Sequence, residues 1–426
     1  MFIEEKKNSQ IFQDSKNIYK LETEEEISNF IKESYNKNLP IEIIGSNSKS
    51  FVGNKLQCTR VLNLSSLSGI VEYLPEELYI KVKACTPLNE IEKILEKNDQ
   101  QLGFEPVDFG FVENLRSNKG TAAGCLSTNF SGSRRFKVGS VRDHILGFRG
   151  VNGKGDIIKS GGTVVKNVTG YDLSKLVTGS FGTLVVLTEI TFKVLPKKST
   201  STTVVIHTND INTVANYLDK LLSTSNEISG SIYLPEEPKN KNYNFNKDQV
   251  FKFNDLKYEG SFLAFRIEGD RKSIDERIKD ISEELEIKKK KTSILDFHQS
   301  LLFWEKINNL EIFSGTKNNL LRVVIPVSKN LDLMKYLEKK FKYYVDWCGS
   351  LFWIEVLEND VLKIKEIKEN VVNLGGHLTI VRKSENFEKS IDVFTIDNTR
   401  LLLSEKIKES FDPKKILNPG KMYRGI

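Results

Sequence analysis

The sequence predicts an α+β protein with two folded parts and a C-terminal segment that returns to the first part. Glycine-rich loops are concentrated before Pro196, whereas strands alternate with amphipathic helices after it. The last residues carry several turn-forming residues and are expected to fray unless they dock on the rest of the chain. We therefore expect a first domain over residues 1–196, an α+β cap domain over 197–385, and a returning segment over 386–426.

The composition is that of an ordinary soluble enzyme. The chain has 426 residues, 39% hydrophobic and 28% charged, enough for two or three domains. It contains no run of about 20 apolar residues, and its acidic N-terminus does not resemble a secretory signal. We expect a cytoplasmic protein whose contact with the inner membrane, if any, is peripheral and made through partners.

The net charge of +6 is spread along the chain. The one dense basic run, residues 288–291, follows apolar positions at helical spacing, and cations suit the end of an amphipathic helix. We therefore expect no nucleic-acid partner.

Cysteine and histidine spacing predicts no metal site. The four cysteines form no CxxC pair, and the four histidines include no HxH or HExxH pair. Neither a zinc site nor a local iron–sulfur cluster is therefore expected, and the thiols are predicted to be reduced.

The first glycine-rich loop is predicted to bind an anion. Thr23 and Glu26 have capping-box spacing before a helix, and residues 40–44 then form a predicted strand. This strand leads into residues 45–53, where small polar side chains, two glycines and Lys49 could build a cradle of backbone N–H groups. The alternative is that this loop is only a turn.

A second β–α unit and a run of small residues follow. Residues 79–84 alternate as a strand, and residues 88–95 form a helix with one apolar side. In residues 120–132 nearly every side chain is small, which lets backbone approach something flat or bulky. The alternative is tight packing of a helix against a sheet.

The first part ends in a hairpin, a short helix and a long strand. The hairpin covers 148–159 with its turn at 152–155, the helix ends near 179–183, and the strand runs from 184 to 194. After Pro196 the pattern predicts strands at 204–206, 232–234, 262–267, 321–327, 351–356 and 377–381. The predicted helices are 211–222, one from 274, 334–341, 361–374 and 399–410. These form two β–α–β-type halves of a lid, with a flexible insertion near 235–252.

Five segments together carry a family resemblance: GGTVVKNVTGYDLSKLVTGSFGTL, SRRFKVGSVRDHILG, DWCGSLFW, GGHLTIVR and FDPKKILNPGKMY. With the glycine-rich loops they resemble the FAD-binding domain of the vanillyl-alcohol oxidase and D-lactate dehydrogenase superfamily. More narrowly, the chain is similar to the FAD-binding E subunits of bacterial glycolate oxidase. The resemblance implies a two-subdomain FAD-binding fold with a ferredoxin-like cap.

The resemblance also implies which residues bind FAD. Covalently flavinylated relatives carry a histidine in the first loop, and its absence here predicts non-covalent FAD. The implied cofactor-binding residues are Gly45, Ser46, Asn47, Ser48, Lys49, Gly53, Pro106, Gly120, Thr121, Gly124, Cys125, Thr128, Asn129, Ser131, Gly132, Arg142, Asp143, Gly170, Tyr171, Asp172, Gly182, Val186, Asn418, Gly420 and Lys421.

Several of these residues also have a purely structural interpretation. Arg142 and Asp143 could form an ion pair, and Tyr171 with Asp172 could hold a helix entrance. His144 is expected to be a packed or exposed histidine. His377 is the one histidine considered as a catalytic acid or base, although a structural role is the stronger expectation.

The functional hypothesis is an FAD-binding subunit of a glycolate-oxidising complex that takes or relays electrons from a small 2-hydroxy acid. Its expected partners are a sister flavin subunit and an iron–sulfur subunit, because the chain encodes no cluster of its own. The alternatives are a stand-alone FAD-dependent oxidase or dehydrogenase of another hydroxy acid or alcohol, and a scaffold subunit that has lost the flavin. The absence of GxGxxG after a strand disfavours a nicotinamide enzyme.

Overall fold

A computed structural model describes residues 17–56, 58–113, 119–163, 170–238, 243, 260–287, 291–388, 390–423 and 425–426. Most of the insertion predicted near 235–252, the lysines at 288–290 and part of the motif at 164–169 lie outside these residues. No helix in the described ranges is long and apolar enough to cross a lipid bilayer.

The described α-helices are α1 (Glu24–Lys37), α2 (Leu88–Glu96), α3 (Ala122–Thr128), α4 (Arg135–Val138), α5 (Val141–His144), α6 (Leu173–Val177), α7 (Ile211–Ser223), α8 (Arg271–Glu284), α9 (Phe297–Asn308), α10 (Asn330–Leu337), α11 (Val361–Asn373) and α12 (Asn398–Phe411). The strands are β1 (Asn17–Lys20), β2 (Ile41–Ile44), β3 (Arg60–Asn63), β4 (Ile70–Leu74), β5 (Tyr79–Lys83), β6 (Gln100–Gln101), β7 (Ile145–Asn152), β8 (Ile157–Gly161), β9 (Val185–Lys193), β10 (Leu195–Pro196), β11 (Thr200–His207), β12 (Gly230–Leu234), β13 (Phe262–Gly269), β14 (Thr292–Leu295), β15 (Asn319–Val324), β16 (Lys342–Asp346), β17 (Leu351–Val356) and β18 (His377–Arg382).

A small parallel sheet in the order β1–β3–β2 opens the first part. The predicted capping box begins α1: the Glu26 N–H donates to Thr23 Oγ1 at 3.2 Å, and the Thr23 N–H donates to Glu26 Oε2 at 3.1 Å. The buried side chains of Ile27 and Ile31 hold this helix in the core. The helix and the strand β2 confirm the predictions for this segment.

A five-stranded antiparallel sheet in the order β4–β5–β9–β7–β8 forms the second unit of the first part. Its hairpin β7–β8 has Phe148 opposite Ser160, and Asn152 accepts at Oδ1 from the Lys154 and Asp156 N–H groups in the turn. The predicted hairpin and the long strand before Pro196 are therefore confirmed.

The cap is an eight-stranded antiparallel sheet in the order β14–β11–β13–β12–β16–β17–β15–β18. Each half follows β–α–β–β–α–β along the chain and places its strands in the same relative order, the ferredoxin-like arrangement. The two halves meet between β12 and β16, where Tyr233 pairs with Val345. The predicted pair of β–α–β-type halves is thus one continuous sheet.

The two faces of this sheet have different neighbours. One face is covered by α7, α8, α10 and α11, which bury Val214, Ile274, Leu333 and Ile367. The other face packs on α9 and on the first part of the chain, which contributes the buried side chains of Val52, Val107, Phe109 and Phe130. The inward-facing side chains of the cap strands therefore point towards the glycine-rich loops.

A buried network of four charges joins the first part to the cap. Arg134 contacts Glu105 at 3.3 Å and Glu268 at 2.5 Å, and Arg266 contacts Glu105 at 2.8 Å. The side chains are at most 12% exposed. Although burial by itself raises the pKa of Glu268, Arg266 and Arg134 lower it well below its usual range.

The structure differs from the sequence-based expectation in several elements. Strand β16 and helix α9 were not predicted, strand β15 ends at Val324 where an extension to residue 327 was expected, and α10 spans Asn330–Leu337. Pro326 cannot donate to a strand ladder, and a short 3₁₀ turn follows it.

Candidate functional site

The first glycine-rich loop presents free backbone donors. Strand β2 leads directly into it, and Asn47 adopts a left-handed conformation with φ of 60°. The N–H groups of residues 46–49 donate to no other residue in the described ranges. Successive N–H groups around a left-handed residue form a concave anion site.

Lys49 adds a positive charge to this loop. Its ammonium donates to the Lys119 carbonyl at 2.7 Å, and no carboxylate of the described chain lies within ion-pair distance. Burial lowers the pKa of Lys49, with smaller opposing effects from Cys125 and Asp108. A partly buried cation without an acidic partner among the described residues favours an anionic ligand.

The run of small residues forms α3 and approaches the loop closely. Thr121 caps the helix, since its Oγ1 accepts from the Gly124 N–H at 3.2 Å. Gly120 has φ of 81°, and a Cβ there would overlap the Ser48 hydroxyl and lie 2.7 Å from Lys49 Nζ. Glycine is therefore needed where the two segments meet.

The C-terminal segment completes the same region. Asn418 accepts at Oδ1 from the Ile43 N–H at 2.8 Å and donates from Nδ2 to the Phe181 carbonyl at 2.9 Å. Lys421 donates to the Ser50 carbonyl at 2.8 Å, and its own carbonyl accepts from the Asn54 N–H at 2.9 Å. The segment therefore bridges the first loop and the turn before β9.

A buried ion pair fixes this segment to the first part of the chain. The ammonium of Lys408, fully buried, donates to Asp412 at 2.8 Å, to the Thr183 carbonyl at 2.6 Å and to the Leu417 carbonyl at 2.9 Å. Asp412 also accepts from the Leu417 N–H at 2.8 Å. Leu417, which precedes Asn418, is thus held at both its carbonyl and its N–H group.

These segments enclose a cleft with about 840 Å³ of empty space, part of it open to solvent. The predicted cofactor-binding residues that line it are Gly45, Ser46, Asn47, Ser48, Lys49, Thr121, Gly124, Thr128, Gly182, Asn418 and Lys421.

The other predicted residues do not line this cleft. Gly53 contacts the Lys421 backbone, Gly120 contacts Ser48 and Lys49, and Pro106 pairs with Ser131 in an isolated bridge. Cys125 and Val186 are buried in the core, Gly132 packs on Asn308, and the Gly420 carbonyl accepts from Asn54. Asn129 Oδ1 accepts from the Arg142 N–H at 3.2 Å.

The residues with alternative structural roles are also placed. Asp143 accepts from the Ser140 N–H at 2.8 Å in a capping box, whereas the Arg142 side chain donates to the Lys175 carbonyl, so the two form no ion pair. Asp172 caps α6, Gly170 has open space beside it, and the Tyr171 side chain is 93% exposed. His144 is buried against Phe104.

His377 lies elsewhere, at a second cleft of about 1030 Å³ between β18, α11, α12 and the chain near Tyr423. Desolvation, followed by the positive charges of Arg322 and Arg400, lowers the pKa of His377 to about 4. The imidazole is therefore neutral near pH 7. Phe181 of the first cleft contacts Phe394 of the second, with ring centroids 5.4 Å apart.

The sequence analysis missed two arginines that both pack on the indole ring of Trp347, one from α4 and one from the cap. The guanidinium carbons of Arg135 and Arg322 lie 4.2 Å and 5.0 Å from the ring centroid of Trp347. One signal was available: Arg322 is the one charged residue of the six in strand β15.

The cleft residues fit a dinucleotide. The N–H groups of residues 46–49, which have no acceptor in the described ranges, and the ammonium of Lys49, which has no carboxylate partner there, suit a diphosphate. Gly120 keeps side-chain bulk away from them. These residues fit the diphosphate of the dinucleotide, because its charged oxygens need several hydrogen-bond donors at one place.

Comparisons with known proteins agree with this fit. Residues 16–161 match the family described as an FAD binding domain. The fold is shared with a structure of p-cresol methylhydroxylase with substrate bound, at a TM-score of 0.72 and 16% identity over 95% of this chain and 88% of that one. It is also shared with a structure of 4-ethylphenol oxidase from Gulosibacter chungangensis. The TM-score is 0.68 and the identity 12%, over 96% of this chain and 89% of that one.

The chain is therefore an FAD-binding oxidoreductase with the p-cresol methylhydroxylase type of fold. This confirms the predicted cofactor and fold class. More particularly, it is 29% identical to glycolate oxidase subunit GlcE of Escherichia coli K12, over 92% of this chain and 95% of that protein. It is 25% identical to glycolate oxidase subunit GlcD of Bacillus subtilis 168, over 71% and 68%. The predicted resemblance to glycolate oxidase subunits is confirmed.

Proposed function

We propose that this chain is the FAD-binding subunit of a complex that oxidises glycolate or a similar small 2-hydroxy acid. The observation that carries the proposal is the meeting of three separate segments at one cleft: the loop with free N–H groups, the arm that begins at Gly120, and the segment with Asn418. Relatives named as subunits of glycolate oxidase support a complex with a sister flavin subunit.

Each cleft residue has a proposed role in holding FAD. The N–H groups of residues 46–49 and the Lys49 ammonium would bind the diphosphate, while Gly182 and Asn418 would shape the wall next to Phe181. The remaining predicted residues would support these contacts from behind. When bound, FAD supplies the two-electron chemistry, and the protein supplies orientation and electrostatics.

We also propose His377 as the candidate proton acceptor. Its pKa of about 4 leaves the imidazole neutral near pH 7, and a bound anion would raise that pKa towards the range in which an imidazole takes up a proton. The positive charges that lower this pKa also favour an anionic substrate nearby.

As a subunit of a complex, the chain would pass the electrons from its flavin to a partner protein. An iron–sulfur subunit is the proposed acceptor, because iron–sulfur clusters carry single electrons away from flavins and the cysteine spacing of this sequence encodes no cluster. We propose that the chain divides into parts at about residues 196 and 385, with the returning segment serving the cofactor cleft.

The experiment is anaerobic reduction of the purified chain. The protein should carry FAD that acid or heat denaturation releases, and its flavin absorbance should be followed with glycolate and D-lactate, with and without co-purified partners. Bleaching only with partners supports a subunit that relays electrons. Rapid bleaching and reoxidation by oxygen without partners would favour a stand-alone oxidase, and a colourless protein that ignores added FAD would leave only a scaffold role.

A further inference from the structure

We propose that the outer edge of strand β14 binds an extended, acidic segment of the sister flavin subunit, which adds one strand to the cap sheet. The inference rests on the proposed function in one respect, which is that a sister flavin subunit belongs to the complex. It assigns an interaction surface to the first half of the cap, at the end of the sheet opposite β18.

The two halves of the cap end in equivalent edge strands. The first half has the strand order β14–β11–β13–β12 and the second half the order β18–β15–β17–β16, so β14 and β18 lie at the two ends of the sheet. A strand at a sheet edge presents backbone N–H and C=O groups with which a further strand can pair. Because the halves share one arrangement, the neighbours of β18 indicate what fits beside β14.

An extended segment of the chain itself, residues 391–395, covers the outer edge of β18. The Ile380 N–H donates to the Val393 carbonyl at 2.8 Å, and the Thr395 N–H donates to the Leu378 carbonyl at 2.9 Å. The segment runs antiparallel to β18. Val393 and Ile380 belong to the same buried cluster of the cap, and Ile380 is 0% exposed. The segment therefore supplies both backbone partners and apolar cover.

The outer edge of β14 has no such cover within the described ranges. Strand β14 pairs with β11 in a register in which the His207 N–H donates to the Lys291 carbonyl at 3.0 Å. Hydrogen-bonded pairs alternate along an antiparallel ladder, so the N–H and C=O groups of Thr292 and Ile294 point away from β11. Neither residue makes a backbone hydrogen bond to another described element. Both are therefore available to an added strand.

The exposure of Ile294 fits the missing cover. It is 59% exposed, whereas Ile380, which points outward at the equivalent place in β18, is 0% exposed. Both side chains lie on one face of the sheet, because their cross-strand neighbours Val204 and Leu321 belong to one buried cluster. A single exposed isoleucine is ordinary on a protein surface, but this one coincides with an open strand edge. An added strand with an apolar residue in the position of Val393 would bury it.

The charge at this edge favours an acidic partner. Lys291, the last residue of the basic run at 288–291, is exposed directly before β14. The chain around the segment that covers β18 carries Asp392 and Asp397. Opposite charges at the rim of an interface speed association and select the partner. A second copy of β14 fits less well, because Thr292–Leu295 contains no acid and follows the same lysines.

Two substitutions of Ile294 test the surface in the FAD-loaded full chain. Ile294→Pro removes an N–H group that faces away from β11, so the cap should still fold while the added strand loses a hydrogen bond. Ile294→Lys keeps that N–H group and replaces the apolar side chain by a cation. The matched control is Ile157→Lys, at an isoleucine that is 42% exposed on β8, an edge strand of the five-stranded sheet.

Isothermal titration measures the affinity for the sister flavin subunit that co-purifies with this chain. The affinity should fall at least about tenfold in each Ile294 variant, since both remove contacts from the centre of the interface, and stay unchanged in Ile157→Lys. Hydrogen exchange separates docking from a structural role. The Thr292 and Ile294 amides should exchange rapidly in the isolated chain and slowly in the complex, and the melting temperature of the isolated chain should differ little among the variants.

Unchanged affinity in both Ile294 variants would overturn the proposal, as would failure of a flavin subunit to bind the unchanged protein. Slow exchange of the Thr292 and Ile294 amides in the isolated monomer would also overturn it, because a segment of the chain itself would then cover the edge. A dimer of the isolated chain that Ile294→Lys dissociates would assign the edge to a second copy and overturn it too.

The same variants separate this inference from the proposed function. Binding of the sister subunit that depends on Ile294, without flavin bleaching by glycolate in the complex, would support the docking surface and count against the proposed function. Bleaching with the sister subunit at an unaltered rate in both Ile294→Pro and Ile294→Lys would do the reverse.

Discussion

At the scale of single residues, the cleft depends on a cation that no other described residue neutralises. Lys49→Met keeps most of the side-chain volume and removes the charge. We expect FAD to bind roughly tenfold more weakly, because one charge-assisted contact to the diphosphate is lost. The protein without FAD should be as stable as before or more stable, since a desolvated charge is gone.

Equilibrium titration with FAD and thermal unfolding of the stripped protein measure these two effects. Lys55→Met is the matched control, because Lys55 lies exposed six residues further along the same region. An FAD affinity equal to that of the unchanged protein would remove Lys49 from the proposed diphosphate site.

Asp346 gives a second prediction at this scale, on pH. Burial raises the pKa of Asp346 to about 7, although its hydrogen bonds from Ser133 and Trp347 oppose this. Between about pH 4 and 7 the folded protein keeps a proton that the unfolded chain has released, so stability falls as the pH rises through this window. The loss should be on the order of 3 kcal/mol.

Urea unfolding at pH 5 and pH 8 measures this loss of stability. The proteins to compare are the unchanged protein, Asp346→Asn and the exposed control Asp275→Asn. Asp346→Asn should lose less stability between the two pH values than the unchanged protein does. Equal losses in all three proteins would contradict the predicted protonation of Asp346.

At the scale of elements, the chain entering α3 lies so close to the first loop that a Cβ at Gly120 has no space. Gly120→Ala would place a left-handed alanine against Ser48 and Lys49, and we expect weaker FAD binding because Lys49 must move. Gly425→Ala is the control for backbone strain alone: it has φ of 86° and nothing close to the added Cβ. Equal FAD affinity in both variants would show that the close approach has no effect on the cofactor.

Elements with local signals were predictable from sequence. The capping box at Thr23 and the turn residues at 152–155 determine their own structure within a few residues, so α1 and the β7–β8 hairpin were predicted correctly. Strand β16 was missed because all of its residues are buried, including Lys342 and Asp346, and it therefore has no alternation of polar and apolar side chains.

The same reasoning applies to the sites. The glycine-rich loop and the tail carry recognisable residue types, and the structure gathers them at one cleft. Arg135 and Arg322 belong to no common motif and lie 187 positions apart in sequence, and only the packing of the cap on α4 brings them to one indole ring.

At the scale of the whole molecule, the four-charge network should act as the main polar joint between the first part and the cap. Arg134→Met leaves Glu105 and Glu268 buried with one cation, and we expect a loss of about 3 kcal/mol in the free energy of unfolding. Lys317→Met is the control, since its pair with Glu385 is largely exposed and should contribute little to stability. Urea unfolding measures the free energy of unfolding of both variants. Similarly small losses in the two would contradict a major role for the network in holding the cap on the first part.

The returning segment also sets an order of events during protein synthesis. Asn418 and Lys421 leave the ribosome after the entire cap, yet they form part of the wall around the cleft. A nascent chain that has already folded its first sheets therefore still lacks one side of the pocket. Flavin loading is expected to be post-translational, and a ribosome stalled before these residues should display a folded but colourless polypeptide.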